Sequence, residues 1–181
     1  MDKSPEHPSR RQFLSRSAST AGLASLISVG SLAGCTGRGE EAATPTPDGP
    51  RLETLEVGAS PGESVPVEPA REAALLDFFA TWCAPCKPQM EELSVVREEF
   101  PDLHMLSLTR EDDTELVADF WREYEGAWPV AQDPELEAFQ EYDVTRIPTL
   151  LVLDAEGSEV WRHSGLSAAG DIIDRVNDAR A

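Results

Sequence analysis

Twelve residues, Asp77 to Pro88, constrain this chain more than any other stretch: they read DFFATWCAPCKP. Two cysteines, Cys83 and Cys86, are separated by Ala84 and Pro85. The apolar run Ala73 to Phe79 leads into them and reads as a buried strand, whereas Lys87 to Phe100 reads as a helix. Cys83 is therefore expected at a strand-to-helix turn, at or near the helix N-cap, where the partial positive charge favours a thiolate. A free cysteine titrates near about 8.5, and lowering that to about 7 needs only ~2 kcal/mol. Thiolate is the nucleophile of disulfide exchange, so Cys83 is the expected attacking group. Cys86, one helical turn deeper, is placed to resolve the mixed disulfide, and its sulfur is expected to be the more buried.

Two other readings of the pair meet obstacles. A zinc half-site needs two more ligands, and only Cys35, His7, His104 and His163 remain, none in a paired spacing. A purely structural disulfide would close too short a loop to constrain the unfolded chain by much.

These residues resemble the thioredoxin-like superfamily. Trp82-Cys83-Ala84-Pro85-Cys86-Lys87 matches its WCxPC motif, and Pro88 stands where the family helix often has a kinking proline. Asp77, six positions before Cys83, matches the buried acid that in thioredoxins exchanges protons with the resolving thiol. Arg146-Ile147-Pro148-Thr149, followed by an apolar strand to Leu153, matches the family's cis-proline loop. The resemblance implies that Trp82, Ala84, Pro85 and Ile147 line the substrate groove. It also implies that Pro148 shapes that groove and keeps metal from the sulfurs, and that the Ile147 backbone pairs with a client peptide as an added strand. The exchange needs two thiols and no cofactor.

The chain has 181 residues, 34 of them acidic and 15 basic, for a net charge of −19. The only lysines are Lys3 and Lys87. Such acidity excludes nucleic acid and anionic membrane surfaces as charge-driven partners. The apolar runs at 73–79, 103–108 and 150–153 argue against disorder. A surface adapted to high salt, as in halophiles, fits better, because screening there weakens self-repulsion.

Residues 1–34 read as an export signal. Ser9-Arg10-Arg11-Gln12-Phe13-Leu14 is a twin-arginine motif, and a mildly apolar segment from Ala18 to Ala33 follows. The segment ends Leu32-Ala33-Gly34-Cys35, which resembles a lipobox, so Cys35 is the expected lipidation site; plain cleavage and secretion is the rival. Residues 35–50 then form the lipidated cysteine and a flexible tether rich in Thr, Pro and Gly.

The folded domain is expected over 51–181. Leu52, Leu55 and Val57 suggest a first strand, and Pro66 limits its neighbourhood to an edge strand or hairpin arm. Leu103 to Leu108 reads as a second central strand, with His104 a strand residue beside a carboxylate. Asp113 to Glu125 reads as a helix with Leu116, Val117, Phe120 and Trp121 as its apolar stripe. Trp128 to Val130 is a short extended piece. Glu135 to Tyr142 reads as a helix capped by Asp133, with Pro134 at its first position. Thr149 to Leu153 turns at Asp154-Ala155-Glu156-Gly157 into Glu159 to His163, an antiparallel hairpin. Ser167 caps a last helix to Ala179 that buries Ile172, Ile173 and Val176. The pattern gives an α/β class with a thioredoxin-like fold: a central mixed sheet with helices on both faces.

Cys86 and Pro148 lie 62 positions apart, and the stretch Thr109 to Asp133 resembles the TlpA/ResA group of membrane-anchored thiol-disulfide oxidoreductases. Members that handle cytochrome c often carry a glutamate three residues past the second cysteine, where this chain has Gln89. The resemblance implies a protein on the outer face of the cell membrane that reduces disulfides of client proteins outside the cytoplasm. Its electrons would come from a membrane thiol carrier of the CcdA/DsbD type. A disulfide oxidase or isomerase is the alternative within the class. A Sco-like copper-delivery protein, using the two cysteines with His163, is the alternative outside it.

Overall fold

The computed structural model describes residues 50–181. The twin-arginine segment, Cys35 and the tether up to residue 49 lie outside the described residues. Nine strands and four helices follow one another among the described residues. Four short strands come first: β1 (Arg51–Glu53), β2 (Glu56–Val57), β3 (Ser60–Pro61) and β4 (Ser64–Pro66). They form two small antiparallel pairs, β1 with β4 and β2 with β3. Pro66 ends the outer arm of the first pair, where its missing N–H is tolerated.

The central sheet is built on β5 (Ala74–Phe79), all six residues of which are buried. It pairs in parallel with β6 (His104–Thr109), which pairs in parallel with β7 (Val130–Gln132). On its other side β5 pairs antiparallel with β8 (Thr149–Leu153), and β8 with β9 (Glu159–Ser164). The order β7-β6-β5-β8-β9 puts β5 in the middle of a mixed sheet. A strand in that position needs apolar side chains on both faces. The period of two then sorts them: Leu75 and Phe79 enter one core, and Ala74, Leu76 and Phe78 the other.

Helices α1 (Cys86–Glu99), α2 (Thr114–Glu123) and α4 (Ala169–Ala179) contribute to the first core, α3 (Glu137–Glu141) to the second. The expected mixed sheet with helices on both faces is what is found. The N-terminal segment shields the edge at β7: the Leu55 N–H donates to the Val130 carbonyl at 2.8 Å, and Ser60 Oγ accepts from the Val130 N–H at 3.1 Å.

Several boundaries depart from the sequence reading. α1 starts at Cys86, one residue earlier than read, behind an N-cap at Pro85, so Cys83 lies near the cap, two residues before it, and Cys86 occupies the first helical position. Pro88 falls in the first turn, where its missing N–H has no intrahelical partner to lose. In α2, Val117, Phe120 and Trp121 are buried but Leu116 is 46% exposed. α3 begins two residues late, because its N-cap Leu136 adopts φ 61° in the left-handed region and leaves Pro134 outside the helix. Asp133 caps from a distance: its carboxylate accepts the N–H groups of Glu137, Ala138 and Phe139 at 2.8, 3.0 and 3.1 Å. In α4 the capping group is not Ser167. The Glu92 carboxylate, from α1, accepts the Ala169 N–H at 2.6 Å, while Ile172 and Val176 are fully buried and Ile173 only partly.

Asp133 and Asp113 make the same kind of bond in different surroundings. Asp113 caps α2 in the open, through the Leu116 N–H at 3.1 Å, whereas Asp133 is fully buried. Replacing Asp113 by Ala is expected to cost about 1 kcal/mol. Replacing Asp133 by Ala orphans three N–H groups, two of them in buried bonds, and is expected to cost about 3 kcal/mol or more. Urea midpoints of the two variants against wild type check the ordering.

Candidate active site

The carboxyl end of β5 opens into Ala80-Thr81-Trp82, and the two cysteines follow. The Cys83 N–H donates to the Ala80 carbonyl at 3.1 Å and the Cys86 N–H to the Cys83 carbonyl at 3.2 Å, which folds the segment into successive turns. Cys83 and Cys86 are joined by a disulfide, with Cα atoms 5.3 Å apart. Both are buried, at 4% and 2% exposure, so in this oxidised form burial does not separate them as the sequence reading expected. Ala84 and Pro85, between them, are exposed. Trp82 is 62% exposed, with the Arg110 guanidinium 5.9 Å from its ring centre.

The loop is gripped from the side by a residue that sequence reasoning passed over. One oxygen of Glu111 accepts the Thr81 N–H and the other the Thr81 hydroxyl, both at 2.7 Å. Thr109 Oγ1 donates to the first of these oxygens at 3.1 Å. Such a two-point hold fixes the backbone two residues before Cys83. Nothing marked Glu111 among so many acids.

Pro148 lies immediately before β8. The register Phe78↔Thr149 carries it to the end of β5 from which the cysteine loop departs. Pro148 is buried, the Ile147–Pro148 peptide is cis, and the Pro148 carbonyl accepts the Gly165 N–H at 2.9 Å. Ile147 is half-buried and packs against both cores, including the one that holds the two cysteines. The residues singled out at 82–86 and 147–148 thus come from one end of the central strands, and Asp77 lies on β5 two residues inside that end. His104 opens β6 and His163 stacks on Trp161 in β9, with ring centres 5.8 Å apart. Among the described residues no group of three His, Cys, Asp or Glu is arranged to hold a metal ion.

Gln89 is buried on α1 and faces the start of α4. Its Oε1 accepts the Ser167 N–H at 2.8 Å and its Nε2 donates to the Ser167 carbonyl at 3.1 Å. A glutamate here could accept but not donate while ionised. The amide is what the backbone of Ser167 requires.

Asp77 is 3% exposed in the middle of β5. Alternation sets it on the face of Leu75 and Phe79, towards the core that contains both cysteines. Ser107, its parallel neighbour on β6, donates to Asp77 Oδ2 at 2.7 Å, and the Trp128 indole N–H donates to Ser107 Oγ at 2.9 Å. Asp77 Oδ1 has no hydrogen-bond partner among the described residues. Burial pushes its carboxyl up from the ordinary 3.8 to about 7, with the Ser107 hydrogen bond pulling the other way. A group with this value can accept and return a proton near neutral pH. The sequence did hold a signal for Ser107: it is the one polar residue between Met105 and Leu108.

The raised value has a cost in stability, with a definite sign. The folded state binds the Asp77 proton more tightly than the unfolded chain does. Stability is therefore undisturbed below about pH 4 and falls as pH rises towards 7, by on the order of 4 kcal/mol once the carboxyl is fully ionised. In the oxidised protein, Asp77→Asn is expected to remove most of this slope, so that its stability relative to wild type is greater at pH 8 than at pH 5. Urea unfolding at both pH values measures it; parallel curves for the two proteins would refute the assignment.

Comparison with known proteins places the fold. The sequence model of the Redoxin family matches residues 47–178. The thiol-disulfide oxidoreductase ResA of Bacillus thuringiensis subsp. konkukian is 25% identical over 96 residues, which cover 52% of this chain and 56% of that protein. The sporulation thiol-disulfide oxidoreductase A of Bacillus subtilis is 25% identical over 101 residues, covering 53% of this chain and 61% of that protein. The chain thus spans somewhat more than half the length of these curated relatives. The crystal structure of StoA from Bacillus subtilis superposes with a TM-score of 0.61 at 22% identity, over 69% of this chain and 93% of that one. That likeness speaks to the fold. With the family match running through the sheet, the cysteine loop and the last helix, the chain belongs to the Redoxin family and has a thioredoxin-like fold.

Proposed function

We propose that this protein is a thiol-disulfide oxidoreductase that reduces protein disulfides outside the cytoplasm, held at the cell membrane by a lipid on Cys35. The observation that carries the reading is the Cys83–Cys86 disulfide at the end of the buried central strand, with an acid of near-neutral proton affinity in the same core. The similar thiol-disulfide oxidoreductases of Bacillus support the same chemistry.

In the reduced protein, the Cys83 thiolate attacks a client disulfide. A bond forms between Cys83 Sγ and one client sulfur, and the other client sulfur leaves as a thiolate that takes a proton from water. Cys86 passes its thiol proton to ionised Asp77. The resulting Cys86 thiolate attacks Cys83 Sγ and expels the second client thiolate, which is protonated in turn. The client gains two electrons and two protons, and the protein is left with the Cys83–Cys86 disulfide. A membrane dithiol carrier of the CcdA/DsbD type then restores the two thiols. Exposed Trp82, Ala84 and Pro85, with Ile147 and Pro148 across the loop, form the surface on which the client lies. The acidic composition suits a saline exterior, where screening offsets self-repulsion.

Three measurements bear on this reading. In Cys86→Ala the resolving step is missing, so mixed disulfides with client proteins should accumulate on non-reducing gels and vanish with reductant, while Cys83→Ala should trap nothing. No adducts in any variant would refute the exchange reading. Direction follows from the potential of the pair: a value near thioredoxin's, about −270 mV, supports a reductase, and one near about −120 mV an oxidase. Anchorage is tested by fractionation. Wild type should sediment with membranes and Cys35→Ser should not; wholly soluble wild type would remove the anchor.

A further inference from the structure

The hydrogen-bond chain behind Asp77 has a direction, and that direction locates a proton. An indole N–H can only donate. Trp128 Nε1 donates to Ser107 Oγ at 2.9 Å and so occupies a lone pair of the hydroxyl. The hydroxyl has a single hydrogen, and Asp77 Oδ2, at 2.7 Å, is its sole acceptor among the described residues. Were Oδ2 to carry a proton, two hydrogens would compete for that contact and the Ser107 O–H would be left buried without an acceptor, an arrangement folded proteins avoid. We propose that Trp128 and Ser107 are positioning residues which hold Asp77 Oδ2 as a permanent acceptor, so that the proton Asp77 exchanges with Cys86 is carried on Oδ1. The exchange itself rests on the thiol-disulfide reading above; the location of the proton does not.

Three features make the arm rigid and effective. Ser107 is fully buried and held in register opposite Asp77 by the β5–β6 ladder. Trp128 is buried, packs edge to face with Trp121 at 5.2 Å, and accepts the Trp121 N–H on its own carbonyl at 3.2 Å. Donation from Trp128 polarises the Ser107 hydroxyl and makes it a stronger donor to the carboxylate. The remaining surroundings are neutral. The β8 neighbour of Asp77 is Leu150. On this face α1 contributes Met90 and Leu93, α2 Phe120 and Trp121, and α4 Ile172. Among the described residues, the two cysteines of that core titrate only once their disulfide is reduced, Tyr124 of the α2 C-cap lies at its margin, and the proton affinity of Asp77 is set by burial and the Ser107 hydrogen bond. The arm therefore does with neutral dipoles what a cation would do elsewhere: it favours the ionised carboxylate.

The test is infrared difference spectroscopy of the oxidised protein at pH 5, where Asp77 is protonated and its band is identified by comparison with Asp77→Asn. A proton on Oδ1 makes Oδ2 the carbonyl oxygen, hydrogen-bonded to Ser107. In Ser107→Ala the C=O stretch should rise in wavenumber, and in Trp128→Phe, which keeps the hydroxyl but not its donor, it should rise by less. The Asp77 titration midpoint should move up by about one unit in Ser107→Ala, a tenfold gain in proton affinity, and in the same direction but less in Trp128→Phe. The pH at which resolution of a preformed mixed disulfide is half-maximal should follow. A C=O band and midpoint unchanged in Ser107→Ala would overturn the assignment. A shifted band and midpoint with an unshifted rate profile would leave the proton on Oδ1 and overturn proton exchange with Cys86.

Discussion

A carboxyl group sits where the sheet is most thoroughly buried, and the rest of the site is arranged around that fact. β5 is covered on both faces and flanked by strands on both edges, so its one polar side chain meets low dielectric on every side. An ionised carboxylate there is expensive unless paired. No cation pairs with Asp77 among the described residues; one hydroxyl, polarised by one indole, does. The partial compensation is what holds the group near pH 7 instead of far above or below it. The cysteine pair and this acid thus share one core, and stability is given up for the acid as pH rises towards 7.

The loop that carries the cysteines depends on the same sheet for its placement. β5 ends at Phe79, and the chain needs three residues to reach Cys83. Those residues are fixed by the Ala80 carbonyl beneath the Cys83 N–H and by the two-point hold of Glu111 on Thr81. Glu111 stands two residues past the end of β6, so the chain that supplies Ser107 to Asp77 also supplies, four residues on, the brace for the cysteine loop. On the far side of α1, Gln89 and Glu92 lock the helix onto the start of α4 through backbone groups of Ser167 and Ala169. The amide of Gln89 suits its position, which faces one donor and one acceptor of the same residue.

Capping explains most of the differences between the elements read from sequence and those observed. The rule that Ser, Thr, Asp or Asn precedes a helix located the right neighbourhoods but not the right atoms. Asp133 does receive the first N–H groups of α3, yet Leu136 in the left-handed region intervenes and shifts the start. Ser167 stands before α4, but the carboxylate that meets the helix comes from Glu92, 77 residues away in sequence. Local rules do not register a cap delivered by another helix, because its position depends on how the two helices pack.

The sequence by itself determined the class of fold and the place of the chemistry. An apolar run, WCAPC and a later Ile-Pro-Thr before a second apolar run are local signals, each set by period or residue type within a few positions. Asp77 was legible as an acid inside such a run. The tertiary structure alone decided what that acid is bonded to. Ser107 meets it through a parallel register between strands 30 residues apart, and Trp128 meets Ser107 from a loop 21 residues further on. Register and loop return follow from packing of the whole sheet against its helices, a sum over many distant contacts that no short window of sequence contains. The direction of the hydrogen bonds, and with it the oxygen that holds the proton, exists only once those three side chains are brought together.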